Sequence, residues 1–75
     1  MVSAPDVPAG VWRHWKGRDY LVLGLGHDAD EVVRTVVVYV PLYEVAGPQM
    51  AVRSLAGFLE EVAPGVPRFR YRGSG

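Results

Sequence analysis

Basic and aromatic residues are interleaved near the start of the chain, in a pattern that can bind an anionic partner. Six residues carry these groups: Trp12, Arg13, His14, Trp15, Lys16 and Arg18. Cations contact phosphate groups and aromatic rings stack on bases. In a strand, Trp12, His14 and Lys16 would share one face. In the competing interpretation, one tryptophan packs in the core and the cations border a hairpin, where charges deter unwanted pairing.

A second basic cluster lies near the end of the chain, where Arg68, Arg70 and Arg72 occupy every second position. In a strand, the three arginines would line one face at intervals of about 7 Å, and Phe69 and Tyr71 would face the core. Such a face can hold an anionic ligand, or it can pair with the chain's own carboxylates. The candidate carboxylates are Asp28, Asp30, Glu31, Glu60 and Glu61.

The remaining candidate groups are two histidines and one arginine. His14 and His27 alone cannot complete a four-ligand structural zinc site in a chain without cysteine, so we expect neutral imidazoles that hydrogen-bond locally. Asp28 or Asp30 could add oxygen ligands, which leaves a small metal-dependent enzyme as a minor alternative. If Arg53 points inwards, it needs a partner such as Asp28 or Glu60, because a buried unpaired charge is costly. The sequence predicts no metal and no cofactor.

Length and composition narrow the class of protein. The chain has 75 residues, no cysteine, and eight basic against eight acidic residues. One small domain fits this length, and disulfides, thiolate metal sites and cysteine nucleophiles are excluded. A net charge of zero argues against a strongly basic nucleic-acid domain but allows a local anion site. No membrane span or leader peptide is visible, so we expect a cytoplasmic protein with no membrane partner.

Short valine-rich runs between glycines and prolines predict strands that would position these groups. The expected strands cover 10–15, 20–25, 32–40, 50–53 and 67–71. A turn over 16–19 would join the first two as a hairpin. This pattern favours a mainly β fold, a small antiparallel barrel of about five short strands whose closure removes exposed edges.

Within these elements, two patterns make specific predictions. Leu21, Leu23 and Leu25 would share the core face of the second strand, while Gly24 on the other face marks a bend, a bulge or a close backbone approach. Ser54 is a good N-cap for one or two helical turns before the last strand. A flexible arm over 1–9, a single domain over 10–71 and a flexible tail over 72–75 complete the organisation.

The order of several motifs over about residues 10–69 resembles DUF1653, a family of small bacterial domains. Residues 10–17, GVWRHWKG, resemble its G-x-Y-R-H-Y-K-G opening, and His27 stands where the family has a histidine before an S-E-T loop. Further matches are Tyr20–Gly24, Val37–Tyr39 with Leu42–Tyr43, Val52–Arg53, Phe58, Glu60 and Pro67–Phe69. The resemblance implies an SH3-like β-barrel and brings no established activity.

The chain departs from the family pattern at three places. Asp28, Ala29 and Asp30 replace the S-E-T motif, Ala51 stands where a tryptophan is common, and Ser54 stands where a proline is common. The chain therefore has no S-E-T hydroxyl at these positions, and the aromatic surface near the fourth strand is expected to be reduced.

The leading functional hypothesis is a non-enzymatic binding module for a peptide or protein partner, which uses exposed aromatic and basic residues. The candidate ligand-binding residues are Trp12, Arg13, His14, Lys16, His27, Tyr39 and Arg53, and the candidate anion-binding residues are Arg68, Arg70 and Arg72. Binding of nucleic acid or another anionic ligand is the alternative. A homodimer is a further expectation, because Val36, Val38 and Val40 exceed the core positions of a small barrel.

Overall fold

The computed structural model describes residues 7–73, which form seven strands and one short helix. The elements are β1 (Gly10–His14), β2 (Asp19–His27), β3 (Thr35–Pro41), β4 (Ala51–Ser54), α1 (Leu55–Leu59), β5 (Glu61–Ala63), β6 (Val66–Pro67) and β7 (Phe69–Gly73). Five antiparallel strands form the main sheet in the order β4-β3-β2-β1-β7, and β5 pairs with β6. The prediction of a mainly β, antiparallel fold with one helical turn is confirmed.

The main sheet is not closed into a barrel, so the expected closure is wrong. β4 and β7 are its two edges and do not pair with each other. The chain between them folds as α1 and the β5–β6 hairpin. Phe58 of α1 is fully buried and stacks on Phe69 of β7 at 4.2 Å between ring centroids. The helix therefore covers the core where a closed barrel would have a β4–β7 ladder.

The core lies on one face of the main sheet and draws on β1, β2, β3, β7 and α1. Its buried members are Val7, Trp12, Val22, Val37, Tyr39, Phe58 and Phe69. Burial of a side chain as large as Phe58 contributes about 1.5–3 kcal/mol. Aromatic rings dominate this cluster, and Trp12, Tyr39 and Phe69 each contact Phe58.

The segments expected to be flexible are only partly within the described residues. Val7 is buried in the core, and the indole nitrogen of Trp12 donates to the Pro8 carbonyl at 3.0 Å. The last residues of the predicted arm therefore pack against the domain. Arg72 and Gly73 extend β7 beyond the predicted strand. Residues 1–6 and 74–75 lie outside the described residues.

The predicted leucine core face of β2 is wrong. Val22 is only 1% exposed, whereas Leu23 and Leu25 are 48% and 45% exposed. The pairing of β2 with β3 shifts register between Val22 and Gly24. Such a bulge changes the direction of the side chains that follow it. The irregularity predicted from the glycines is thus confirmed, and it explains why the leucines do not share a buried face.

The helix begins where the sequence predicts. The Ser54 hydroxyl oxygen accepts a hydrogen bond from the Gly57 backbone at 3.1 Å, as an N-cap should. The helix ends at Leu59, and the backbone of the C-cap residue Glu60 is extended, with φ −67° and ψ 144°. The β5–β6 hairpin that follows was not expected from the sequence. Within residues 7–73, no helix is long and apolar enough to span a membrane.

Candidate functional site

The pairing of β1 with β7 joins the two basic clusters that the sequence indicates. Arg13 lies directly opposite Arg70, and His14 lies opposite Phe69. Side chains of directly opposite residues in an antiparallel pair share a face, with Cβ atoms about 5 Å apart. Arg13 and Arg70 therefore stand side by side on the face away from the core, although 57 positions separate them in the sequence.

A groove of about 210 Å³ lies along this pair of strands. Its lining residues are Arg13, His14, Trp15, Gly17, Val66, Pro67 and Arg70, and we refer to it as the β1–β7 groove. Trp15 is 49% exposed, and the Lys16 ammonium nitrogen lies 5.4 Å from the centroid of its ring. The groove thus combines an exposed aromatic surface with two guanidinium groups.

Positive charge exceeds negative charge around the β1–β7 groove. The Asp19 carboxylate forms an ion pair with Arg13, with N–O distances of 2.8 and 3.2 Å. The Arg13 hydrogen bond is the main cause that lowers the pKa of Asp19, and the charge of Arg72 adds to it. Within residues 7–73, no carboxylate lies within ion-pair distance of Arg70. The negative charge of Asp19 therefore balances Arg13 through a direct ion pair and Arg72 only at longer range.

The three arginines at the end of the chain do not act as one row. Arg68 precedes β7, and its guanidinium binds Glu60 at 2.9 Å and the Gly57 carbonyl at 3.2 Å. The predicted pairing with Glu60 is therefore present, and it attaches Arg68 to the end of α1. Arg70 points to the groove, and Arg72 follows at the point where the β1–β7 register shifts.

The tryptophans separate into one core residue and one surface residue. Trp12 is 7% exposed, with its ring 5.2 Å from Phe58 and 5.3 Å from Tyr71. The interpretation in which one tryptophan packs in the core is confirmed. Tyr71, expected in the core, is exposed and lies against Trp12 near the register shift. Trp15, which the sequence did not rank as a site residue, is the exposed ring.

A second group of candidate residues meets at the end of the core nearest the β1–β2 turn. The members of this tyrosine–arginine cluster are Tyr20, Tyr39, Tyr43, Arg18 and Arg53. The rings of Tyr39 and Tyr43 each lie 5.4 Å from the Tyr20 ring, and the hydroxyls of Tyr20 and Tyr43 share a hydrogen bond. The Arg18 guanidinium lies 4.6 Å from the centroid of the Tyr43 ring.

Arg53 does not have the carboxylate partner that we expected. Its Nε donates to the Tyr39 hydroxyl at 3.3 Å. Tyr39 is itself buried, with its ring 5.7 Å from Phe58. The polar partner of Arg53 is therefore a neutral phenol, which leaves the guanidinium charge uncompensated by a carboxylate in the described part of the chain.

Burial and neighbouring groups change the pKa values of Tyr20 and of His14, which lies beside the cluster. Burial first, and then the hydrogen bond to Tyr43, raise the pKa of Tyr20 to about 12. Burial also lowers the pKa of His14, and the charges of Arg53, Arg68 and Lys16 lower it further. The Lys16 backbone nitrogen donates to His14 Nδ1 at 3.2 Å. Both observations favour a neutral imidazole that carries its hydrogen on Nε2.

His14 and His27 lie at opposite ends of the sheet. His27 pairs with Thr35 at the far end of β2, whereas His14 lies beside the β1–β2 turn. The Asp28 carboxylate accepts hydrogen bonds from the Asp30 and Glu31 backbones, and these bonds lower its pKa. No group of three metal-ligating side chains comes together among residues 7–73. The histidines and Asp28 therefore do not share a site.

Sequence reasoning missed part of each cluster. Val66 and Pro67 line the β1–β7 groove because the β5–β6 hairpin places them there. Tyr20 and Tyr43 meet across 23 positions, and no local pattern indicates that contact. The sequence offered one weak indication of the tyrosine–arginine cluster: tyrosines lie near the boundaries of predicted strands, and the turn beside Tyr20 carries an arginine.

The fold and the groove define a small, mainly antiparallel β domain that exposes basic and aromatic side chains together. The family described as "Protein of unknown function (DUF1653)" matches residues 10–71, and the chain belongs to this family. The crystal structure of a DUF1653 protein from Bordetella bronchiseptica is similar, with 42% identity and a TM-score of 0.85 over 93% of this chain and 92% of that one. None of the curated proteins matches the chain. The resemblance noted in the sequence is thereby confirmed.

Proposed function

We propose that this protein is a binding module that takes an acidic segment of a partner protein in the β1–β7 groove. The observation that carries the proposal is the register of β1 and β7, which sets Arg13 beside Arg70 next to the exposed Trp15. These are two of the residue types that most often supply the binding energy of protein interfaces.

The charge of the groove favours an acidic ligand. Like charges directly opposite each other on neighbouring strands destabilise a sheet, and Asp19 compensates Arg13 alone at ion-pair distance. A carboxylate bound beside Arg70 would relieve this repulsion. Guanidinium groups also bind carboxylates through two parallel hydrogen bonds, which gives direction as well as attraction.

The size of the groove favours side chains of a peptide over a whole small molecule. Pockets for small molecules usually enclose about 300–1,000 Å³, and this groove holds about 210 Å³. Trp15, Val66 and Pro67 offer apolar contact for one side chain of a peptide, and Arg70 offers a charge contact for the next. An extended acidic peptide with interspersed apolar residues has this chemistry.

Nucleic acid is the competing ligand, because an arginine beside an exposed tryptophan can also contact phosphate and stack on a base. The neutral total charge and the ion pair of Asp19 with Arg13 weigh against it. The two ligands differ in salt dependence, since binding to DNA releases condensed counterions and falls steeply with salt.

The experiment measures fluorescence anisotropy of three labelled probes: a peptide of alternating glutamate and leucine, the same peptide with lysine for glutamate, and a single-stranded oligonucleotide. We expect binding of the glutamate peptide alone. Arg70→Glu and Trp15→Ala should each weaken it by about tenfold or more. Arg34→Glu, which makes the same charge change at an exposed arginine outside the groove, should leave the affinity unchanged.

Three results would overturn the proposal. The first is the absence of binding to the glutamate peptide at about 1 mM protein, a concentration at which a Kd of about 1 mM, or about −4 kcal/mol, would give half-saturation. The second is an equal loss of affinity in Arg34→Glu and Arg70→Glu, which would indicate a general charge effect. The third is salt-sensitive binding of the oligonucleotide alone, which would assign the groove to nucleic acid.

A further inference from the structure

The tyrosine–arginine cluster offers hydrogen-bond donors without matching acceptors. In the bond between Tyr20 and Tyr43, one hydroxyl donates and the other accepts, so the accepting hydroxyl keeps its own hydrogen. The Tyr39 hydroxyl accepts from Arg53 and also keeps its hydrogen. No acceptor for either hydrogen is found among residues 7–73. Tyr20 and Tyr43 are half-buried and Tyr39 borders them, so a hydrogen-bond acceptor that reaches the cluster from solvent can use both hydrogens.

The two arginines of the cluster, Arg18 and Arg53, also have hydrogen-bond donors without a carboxylate partner. No carboxylate lies within ion-pair distance of Arg18 or Arg53 in the described part of the chain, because Glu60 is engaged by Arg68 and Asp19 by Arg13. Arg53 uses Nε for the Tyr39 contact and retains its two terminal nitrogens as donors. A ligand that meets this cluster must therefore accept several hydrogen bonds and carry negative charge.

The surroundings strengthen the attraction of an anion. Tyr20, Tyr43 and Arg53 are half-buried, and a lower local dielectric makes charge-assisted hydrogen bonds stronger than in water. The raised pKa of Tyr20 keeps its phenol protonated at physiological pH. The ring of His14 lies 6.2 Å from that of Tyr20. Burial is the main cause that lowers the pKa of His14, and the nearby charges of Arg53 and Arg68 lower it further, so positive charge is concentrated beside the cluster.

We infer that the tyrosine–arginine cluster is a binding site for an oxyanion, a phosphate or carboxylate group, held by the Arg53 guanidinium, the Tyr39 and Tyr43 hydroxyls and Arg18. This site is separate from the contact of Arg13 and Arg70 in the β1–β7 groove, and the inference does not depend on the proposed function. The oxyanion could be a free ion or the charged group of a larger ligand.

The test is an NMR titration of the protein with inorganic phosphate, with acetate, and with sodium chloride at matched ionic strength. We expect phosphate or acetate, but not chloride, to shift the Arg53 Nε–H signal and the His14 ring signals with saturation. The pKa of His14 should rise when the anion is bound, because a nearby negative charge favours imidazolium. The probe that saturates at lower concentration identifies the oxyanion class.

Tyrosine-to-phenylalanine changes provide a matched comparison that preserves ring packing. Tyr43→Phe and Tyr39→Phe should each lower the affinity for the anion by about tenfold, since each removes a hydrogen bond to a charged group. Tyr71→Phe removes an exposed hydroxyl outside the cluster and should have no effect. Comparable far-UV circular dichroism of all three variants shows that the fold is kept.

The inference is wrong if phosphate and acetate give only the shifts that chloride gives, or if Tyr43→Phe binds the anion as well as Tyr71→Phe does. Saturating shifts confined to Arg13 and Arg70 would also overturn it, while they would leave the groove proposal intact. Conversely, loss of peptide binding in Arg70→Glu with unchanged anion binding would show that the two sites are distinct.

Discussion

Two tryptophans three positions apart have opposite environments, and the strand geometry explains why. Side chains alternate between the faces of a strand, so an odd spacing sends Trp12 towards the core and Trp15 towards solvent. Trp12 contacts Phe58 and donates its indole N–H to Pro8. Trp15 contacts the groove and the Lys16 ammonium. Stability and binding therefore depend on different members of the same short segment.

Substitution of the two tryptophans separates these roles. Trp12→Ala removes a ring that is 7% exposed, and we expect it to lower the free energy of unfolding by about 3–5 kcal/mol. Trp15→Ala removes a half-exposed ring and should lower it by less than about 1 kcal/mol. Urea unfolding followed by far-UV circular dichroism measures both. Equal losses in the two variants would contradict the assignment of Trp12 to the core.

His14 should make stability depend on pH. Burial and the charges of Arg53, Arg68 and Lys16 lower its pKa in the folded protein, so the unfolded chain binds a proton more readily than the folded one. Stability should therefore fall as pH falls below about 6.5, the unfolded value. The loss continues until the folded pKa has been passed.

The measurement compares urea unfolding at a series of pH values between neutral and mildly acidic conditions. His14→Gln should flatten the dependence in this window, whereas His27→Gln, at the other end of the sheet, should retain it. A wild-type stability that rises on acidification in this window would reverse the expected sign. If His14→Gln and His27→Gln flatten the pH dependence of stability equally, the dependence does not come from His14.

At the scale of the elements, the sequence predicts local features such as turns and caps correctly. It does not predict the register of strands that pair across long stretches of the chain. The hairpin of β1 and β2 and the cap at Ser54 follow from glycine and serine chemistry within a few residues. The burial of β2 depends on the register shift after Val22, which is set by the pairing with β3. Without that pairing, the regular spacing of Leu21, Leu23 and Leu25 predicted one shared buried face, whereas Leu23 and Leu25 are about half exposed.

The candidate sites show the same limit. Composition marked Arg13, Arg53 and Arg70 as potential anion contacts, but their neighbours come from strands far apart in the sequence. The Arg13–Arg70 pair requires β1 to lie beside β7, and the Arg53–Tyr39 contact requires β3 to lie beside β4. Each arginine had several equally plausible partners in the sequence, because ion pairing is not selective among exposed carboxylates.

The N-cap of α1 is testable as an element of its own. The helix has only five residues, and the Ser54 hydroxyl satisfies the Gly57 N–H. Ser54→Ala should lower the free energy of unfolding by about 1 kcal/mol, and Ser54→Asp should retain it because aspartate caps equally well. Thermal or urea unfolding distinguishes the two. Equal stability of the alanine and aspartate variants would show that the cap contributes nothing.

At the scale of the whole molecule, the open sheet leaves an apolar surface on the face away from the core. Val38 lies opposite Val52 of β4, and Val52 is 65% exposed. On the other side of β3, Gly24 and Gly26 lie opposite Val38 and Val36, so no β2 side chain covers the valines there. An exposed apolar face next to a sheet edge is a typical place for self-association.

We therefore expect a weak dimer through the surface formed by Val36, Val38 and Val52, which we call the valine face. Sedimentation velocity should show it at about 1 mM protein and not at about 10 μM, because a small apolar face gives weak association. Val52→Lys should abolish the dimer, since it would bury an unpaired charge in the interface. Val33→Lys, at an exposed valine in the β2–β3 connection, is the matched control and should leave it intact. If the wild-type chain stays monomeric at both concentrations, or if both lysine variants dissociate equally, the valine face is not an interface. Gly24 would then be explained by the register shift alone.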